Sequence, residues 1–376
     1  MQHPVSRRSL LVSGGSLAAG SLLPESLLAK GKPPVASKAS LEFRPMVLKL
    51  RHTWTIARGS SDEKKNGLLS VTAEGVTGYG EAAANKRWNQ SYETAEAAFA
   101  KVKKAVDGLS PWEHLAWLER AEAEAGADAE VVAALDTALW DWKGKRLGVP
   151  VHRLLGVPTG RMPVTSFSIG IDTAEAMKAK TKEAEAYPLL KVKVGLANDE
   201  ENVAAIRSVT KKPIRVDANE GWKSVEEAVA KIAWLRGQGV ELLEQPLPQS
   251  RNADMAKVRP GAGLPLVADE SVLHARDVPP LVGLFDGINV KLAKCGGITR
   301  AYELAVLGRA LGFKLMLGCM IESSVGIAAG IAVAPLFDWV DLDGNLLVAD
   351  DPWTGLTLEA GRWRLPDAPG LGVVPA

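Results

Sequence analysis

Between residues 189 and 291, five short apolar, β-branched runs each close on a charged residue at a nearly constant pitch. The closing residues are Lys193, Asp217, Glu244, Asp269 and Lys291, at intervals of 24, 27, 25 and 22 residues. A patterned amphipathic segment follows each run. A strand, a helix and two loops take about this length, so the stretch reads as successive βα units. A charge where a strand meets solvent is ordinary when taken singly. Here three carboxylates fall on consecutive strands, with lysines on the strands either side. The C-terminal strand ends of a parallel barrel share one face, so these charges crowd into one mouth. Without a cation and an anionic ligand to balance it, that arrangement is costly.

Counting outward gives an eight-stranded parallel barrel over residues 161–345. Strand one is 162–168, strands two to six end at the five charges, strand seven is 314–318 and strand eight is 337–341. A barrel takes about 250 residues, so the 376-residue chain has room for a second module. Residues 41–160 supply it as an α+β unit. Strands are predicted at 41–50, 51–57, 68–73 and 76–81, with a polar loop at 59–67; no turn signal separates the first two, which leaves one long bent strand open. Helices are predicted at 93–106, 111–123 and 129–146, with Asp128 as a candidate N-cap. The tail, 346–376, carries Trp353 and Trp363 and is expected to return to this module.

Residues 1–40 read as a leader and spacer. Arg7-Arg8 precede a short, Gly- and Ala-dotted apolar stretch, the pattern of a twin-arginine export signal. The stretch is too short and broken for a spanning helix, so the expectation is a periplasmic protein without stable membrane association. Lys+Arg of 45 against Asp+Glu of 44 gives a net charge of +1, which does not call for nucleic acid. The two cysteines, Cys295 and Cys319, read as half-buried thiols; export would permit a disulfide without implying one. Nothing sets the oligomeric state, and a homo-oligomer is compatible with the sequence.

In a ring of eight, strands two and six lie opposite one another. Lys193 and Lys291 therefore face each other, with Asp217, Glu244 and Asp269 on the arc between. Those carboxylates offer hard oxygen ligands for one Mg²⁺. A substrate carboxylate on that metal would hold its α-carbon between two amines, the arrangement for removing a proton from one face and returning it on the other. A positioned acid or base contributes about 10²–10⁴-fold, whereas enzymes lower barriers by about 8–23 kcal/mol. Most of the remainder falls to stabilising the dianionic enediolate. Mg²⁺ and the neighbouring amines, Lys191 and Lys294, are expected to depress the lysine pKa values.

The motifs Lys191-Val-Lys193, Asp217-Ala-Asn219, Glu244-Gln-Pro246, Asp269-Glu-Ser271 and Lys291-Leu-Ala-Lys294-Cys-Gly-Gly297 resemble those of the muconate-lactonizing branch of the enolase superfamily. A Lys or His base with Mg²⁺ is the established pattern of that superfamily. The resemblance runs over about residues 41–376. It implies a capping domain, formed by the N-terminal segment and the C-terminal tail, over a (β/α)₇β TIM-like barrel. It also implies Asp217, Glu244 and Asp269 on Mg²⁺, Lys193 and Lys291 as the acid/base pair, and Lys191 neutralising the substrate carboxylate.

Strand eight narrows the reaction. Asp341-Leu-Asp343 is similar to the pair by which dipeptide epimerases hold the substrate ammonium, and the segment 318–324, with Met320, resembles theirs as well. The implied substrate is a dipeptide, its C-terminal carboxylate on the metal and its ammonium on Asp341 and Asp343. By the same resemblance Arg58 lies in a loop over the side chain of the epimerised residue, where it suits glutamate. That gives L-Ala-L-Glu and L-Ala-D-Glu from peptidoglycan, although Asp62 and Glu63 nearby would suit a cation. Muconate cycloisomerase, o-succinylbenzoate synthase and N-succinylamino acid racemase chemistries share the metal and lysines but have no use for the aspartate pair. Acid-sugar dehydratases usually carry a barrel histidine, and none of the five histidines here ends a predicted strand. A catalytically silent exported binding protein is the alternative from another class, and the intact lysines and carboxylates oppose it.

Overall fold

A computed structural model describes residues 38–126 and 128–376. The expected export leader, through residue 37, lies outside the described residues.

The chain opens with a three-stranded antiparallel sheet: β1 (Ser40–Ile56), β2 (Gly59–Ala73) and β3 (Val76–Ala82). One open alternative is decided here and one expectation is corrected. Residues 41–50 and 51–57 form one strand, with a register break between Lys49 and Trp54. The polar stretch 59–67 is no loop but the first part of β2, paired with β1 except at Asp62, where the register breaks. Ser, Asp and Lys are poor strand formers, yet ladder pairing outweighs a preference that spans only about 1 kcal/mol. The connection shrinks to Ala57-Arg58.

Helices α1 (Tyr92–Ala105), α2 (His114–Ala125) and α3 (Ala129–Leu147) follow. Asp128 stands at the N-cap of α3 but does not cap it; its carboxylate accepts from Thr94 Oγ1 at 2.9 Å. The α3 helix lies directly on β3. A Cβ at Gly80 would sit 1.9 Å from Ala134 O and one at Gly78 2.1 Å from Ala138 O, so only glycine admits this approach.

The barrel strands are β4 (Phe167–Ile169), β5 (Leu190–Lys193), β6 (Ile214–Asp217), β7 (Val240–Glu244), β8 (Leu266–Ala268), β9 (Gly287–Lys291), β10 (Lys314–Gly318) and β11 (Trp339–Asp341). They are parallel and neighbour one another in chain order. A parallel bridge between Thr165 and Val340 joins the first strand to the eighth and closes the ring. The first and eighth strands begin later than predicted, and the fifth ends at Ala268, one residue before Asp269. Side chains two apart on a strand share a face. Leu242, Val267 and Met316 therefore lie on the same faces as Glu244, Asp269 and Gly318, and they form a small apolar cluster of their own with Trp339 against it. This cluster plugs the lumen beneath the charged ring.

The C-terminal tail touches both parts of the chain. Gly370 bridges Pro150, Leu371 N donates to Asp141 Oδ1 at 2.8 Å, and Trp353 packs edge-on against Tyr79. Trp363 Nε1 donates to Leu342 O at 2.8 Å, at the end of the barrel's last strand. Among the described residues, no helix is long and apolar enough to cross a membrane.

Candidate active site at the barrel mouth

Strand register sets the row of functional groups. Lys193, Asp217 and Glu244 are direct partners across β5, β6 and β7, and Lys291, Gly318 and Asp341 are partners across β9, β10 and β11. A Cβ at Gly318 would press 2.8 Å from Asn289 Oδ1 and 3.0 Å from Lys291 Cε, so glycine here leaves the lysine its path.

Each proposed acid/base lysine touches a different carboxylate. Lys193 Nζ lies 2.6 Å from Asp217 Oδ2, and Lys291 Nζ lies 2.6 Å from Asp269 Oδ2. The Trp54 ring stands 6.0 Å from Lys193 Nζ, bringing the first strand of the chain to the mouth. Lys191, on the same face of β5 as Lys193, sits fully buried among three carboxylates. Its Nζ lies 2.7 Å from Asp341, 2.8 Å from Glu244 and 3.2 Å from Asp217.

Asp217, Glu244 and Asp269 are buried, and one oxygen from each lies within 4.8 Å of the others. Glu244 Oε2 is close to Lys191 but accepts no well-directed hydrogen bond. A buried all-oxygen set with an under-used acceptor fits a hard divalent cation such as Mg²⁺. Without one, burial and the adjacent Asp217 charge push Glu244 up to about 8.

With no cation on the triad, two of the lysines are shifted upward. Burial pulls Lys191 and Lys291 down, but the carboxylates around them win: Asp341, Glu244 and Asp217 hold Lys191 well above its ordinary range, and Asp269 and Glu244 raise Lys291. Uncompensated carboxylates favour the charged amines, the reverse of the depression expected from a metal and neighbouring cations.

Several supporting residues surround the triad, and sequence reasoning named Lys294 as a neighbouring amine but missed Asn289, Ser166 and Ser168. Lys294, three beyond Lys291 and so on the same side of the short helix that begins there, bonds both the side chain and the carbonyl of Asp269. Asn289, two before Lys291 on one strand face, donates to Glu244 Oε1 at 2.8 Å. Gln245 Oε1 accepts from Asp269 N at 2.9 Å. Ser166 Oγ donates to Asp341 Oδ1 and Ser168 N to Asp343 Oδ2, each at 2.6 Å. The serine spacing of two was the available signal.

Asp341 is held below its ordinary range: burial opposes this, and Lys191 and Lys193 outweigh it. Burial and the Asp341 charge push Asp343 up to about 7. Met320, just past β10, accepts a hydrogen bond on sulfur from Asn85 Nδ2 at 3.2 Å. Its segment is fixed from the capping sheet, where buried Glu81 accepts from Ser323 N at 3.0 Å and from Asn66 Nδ2 at 2.7 Å. Arg58 lies in the turn between β1 and β2. Its Nη2 donates to Glu270 Oε1 at 2.8 Å and its Nη1 to Asn219 O at 2.7 Å. Cys295 and Cys319 are free thiols.

Residues 41–156 match the family model for the mandelate racemase/muconate lactonizing enzyme N-terminal domain, and 172–376 match the enolase C-terminal domain-like model. The L-Ala-D/L-Glu epimerase of Bacteroides thetaiotaomicron is 39% identical, over 96% of this chain and 94% of that protein. The L-Ala-D/L-amino acid epimerase of Pedosphaera parvula is 41% identical, over 88% and 96%. Among solved structures, the Cytophaga hutchinsonii dipeptide epimerase complexed with Mg and dipeptide D-Ala-L-Val superposes with a TM-score of 0.86. It is 25% identical, covering 91% of this chain and 96% of that one.

Proposed function

The chain belongs to the mandelate racemase/muconate lactonizing enzyme family of the enolase superfamily, and from that premise we propose that it is an isomerase, a Mg²⁺-dependent dipeptide epimerase. The reaction inverts the α-carbon of the C-terminal residue by 1,1-proton transfer. One observation carries the reading. Two lysines on the second and sixth strands of a closed eight-strand ring each sit 2.6 Å from a carboxylate of the same buried triad. A further pair of carboxyls, Asp341 and Asp343, stands at the end of the eighth strand and two residues past it.

Asp217, Glu244 and Asp269 would hold Mg²⁺, which would neutralise the substrate carboxylate, stabilise the charge it gains as the α-proton leaves, and take up the carboxylate charge that raises Lys291. Lys193 and Lys291 then serve opposite faces of the α-carbon, one removing the proton and the other supplying one. Lys191 offsets the carboxylate charge between Asp217, Glu244 and Asp341. Asp341 and Asp343 receive the substrate ammonium, which orients the dipeptide across the mouth.

The substrate put forward is L-Ala-L-Glu, interconverted with L-Ala-D-Glu, as in peptidoglycan peptides; the Bacteroides relative's name supports it. A dipeptide with an uncharged second side chain is the second reading. It is favoured by the balance of Arg58 against Glu270 and Glu220. NMR of a panel of L,L-dipeptides in D₂O with Mg²⁺ decides between them by which α-proton signals vanish. Loss from none of them would end the epimerase proposal.

Export is part of the proposal and rests on Arg7-Arg8 and the apolar stretch that follows. N-terminal sequencing of periplasmic protein checks it; an intact Met1 in the cytoplasm would overturn it.

A further inference from the structure

Two separate segments of the capping module reach the barrel mouth, and both end on the same carboxylate. Arg87, from the single turn Lys86–Trp88, forks onto Glu220: Nε to Oε2 at 2.6 Å and Nη2 to Oε1 at 3.1 Å. Arg58, from the β1–β2 turn, places Nη1 3.4 Å from Glu220 Oε2. Glu220 Oε1 also accepts the backbone amide of Gln249 at 2.8 Å, from the segment after β7. The Glu220 side chain is 8% exposed. Burial would raise its pKa, but Arg87, Gln249 and Arg58 hold it below its ordinary range. The carboxylate is thus charged, nearly enclosed and gripped from three directions.

Its backbone is equally constrained. Asn219 and Glu220 have φ of 44° and 64°, two successive non-glycine residues in the left-handed region. Such a conformation persists only where the surroundings over-determine it. The surroundings include Asn219 N donating to Asp217 Oδ1 at 2.9 Å and Glu220 N donating to Gln245 O at 2.9 Å. The second partner of Arg58, Glu270, directly follows Asp269. Both grips therefore fall on residues that follow triad carboxylates closely in the chain. Two guanidiniums meet two carboxyl groups here, so both arginines have protein partners without a ligand.

We propose that Glu220 is a positioning residue that clasps both capping segments over the mouth, and that Arg58 works in this closure rather than in recognising an anionic substrate side chain. The kinetic part rests on the dipeptide-epimerase reading; the closure itself does not. Bidentate arginine–carboxylate pairs combine strength with fixed geometry, which suits a clasp that must hold one arrangement.

The test compares full-length wild type, Glu220→Gln, Arg87→Ala and Arg58→Ala by hydrogen–deuterium exchange and by turnover of Ala-Glu and of an apolar dipeptide. In Glu220→Gln, exchange is expected to speed by about ten-fold or more over residues 52–62 and 84–90 together. KM should rise by about ten-fold for both dipeptides, with kcat within about three-fold. Arg87→Ala should loosen 84–90 and leave 52–62 protected, because both partners of Arg58, Glu220 and Glu270, remain in place. Arg58→Ala should weaken both dipeptides alike, an arm that still decides the matter if Glu220→Gln does not fold. Loosening of only one segment in Glu220→Gln, or of neither, overturns the clasp. A loss confined to Ala-Glu in Arg58→Ala overturns the reassignment of that arginine. If wild type turns over no dipeptide, the functional reading fails while the exchange data still judge the clasp.

Discussion

Lys191 Nζ lies 2.7 Å from Asp341 Oδ2, tying the second barrel strand to the eighth across the intervening first. Asp341 is therefore shared between a buried cation of the protein and whatever ammonium enters, while Asp343 beside it is held by a backbone amide. A remote contact of this kind governs binding more than chemistry. Asp341→Asn should raise KM for dipeptides by about ten-fold or more while slowing α-proton exchange at saturation by much less. A fall in kcat with KM unchanged would contradict the ammonium-binding role.

The two lysines on opposite strands give a stereochemical prediction. Lys193→Ala and Lys291→Ala should each abolish epimerisation, a loss of at least about 10²-fold. Each should still exchange one epimer with retention, and the two variants should favour opposite epimers. Incubating both with L,L- and L,D-dipeptide in D₂O and following the α-proton signals checks this. Exchange of the same epimer by both would overturn the assignment of one lysine to each face.

Metal removal should be visible without any substrate. A cation that binds the folded carboxylate triad and not the unfolded chain stabilises by about 2.7 kcal/mol at a hundred times its Kd. Mg²⁺ should raise the Tm of wild type, EDTA should reverse the rise and stop turnover, and Glu244→Gln should blunt the Mg²⁺ response. An unchanged Tm in wild type would remove the metal from the triad.

Glu130, buried in the first turn of α3, supplies a pH signature away from the mouth. Burial, with the Asp128 charge adding, pushes it from 4.5 to about 8. A folded pKa above the unfolded one means its stabilising contribution is complete below the unfolded value and is lost as pH rises through the folded one. Wild type should lose up to about 1.4 kcal/mol per pH unit from this group between pH 5 and pH 8. Glu130→Gln, which imitates the neutral form, should show a flatter decline in urea midpoints at pH 5, 6.5 and 8; parallel declines would contradict the shift.

The barrel was legible because its chemistry repeats with its strands: Lys193, Asp217, Glu244 and Lys291 each end an observed strand. Asp269 falls one residue past β8 because pairing stops at Ala268, a boundary no local pattern marks. The long β1–β2 hairpin was misjudged for the opposite reason. Its Ser, Asp and Lys residues carry loop character, and only their partners on β1 make them a strand. Arg58 was placed near the mouth by resemblance, but its partners Glu220 and Glu270 lie 162 and 212 residues away in sequence. Such pairings depend on how the capping sheet lies on the barrel, which spacing does not encode. The charge on Lys291 likewise depends on whether the adjoining carboxylates are already neutralised, which spacing does not encode either.

The division between rigid strand ends and a reaching hairpin bears on how such a protein diversifies. Chemistry is written in the barrel, where a one-residue slip in β5 would turn both Lys191 and Lys193 out of the lumen at once. The hairpin lies outside the barrel's ladder, yet its turn is anchored to acidic residues near the triad's strand ends. A hairpin transplanted from a relative should therefore function only if positions 220 and 270 travel with it, making inheritance of the lid and of two barrel residues a single event.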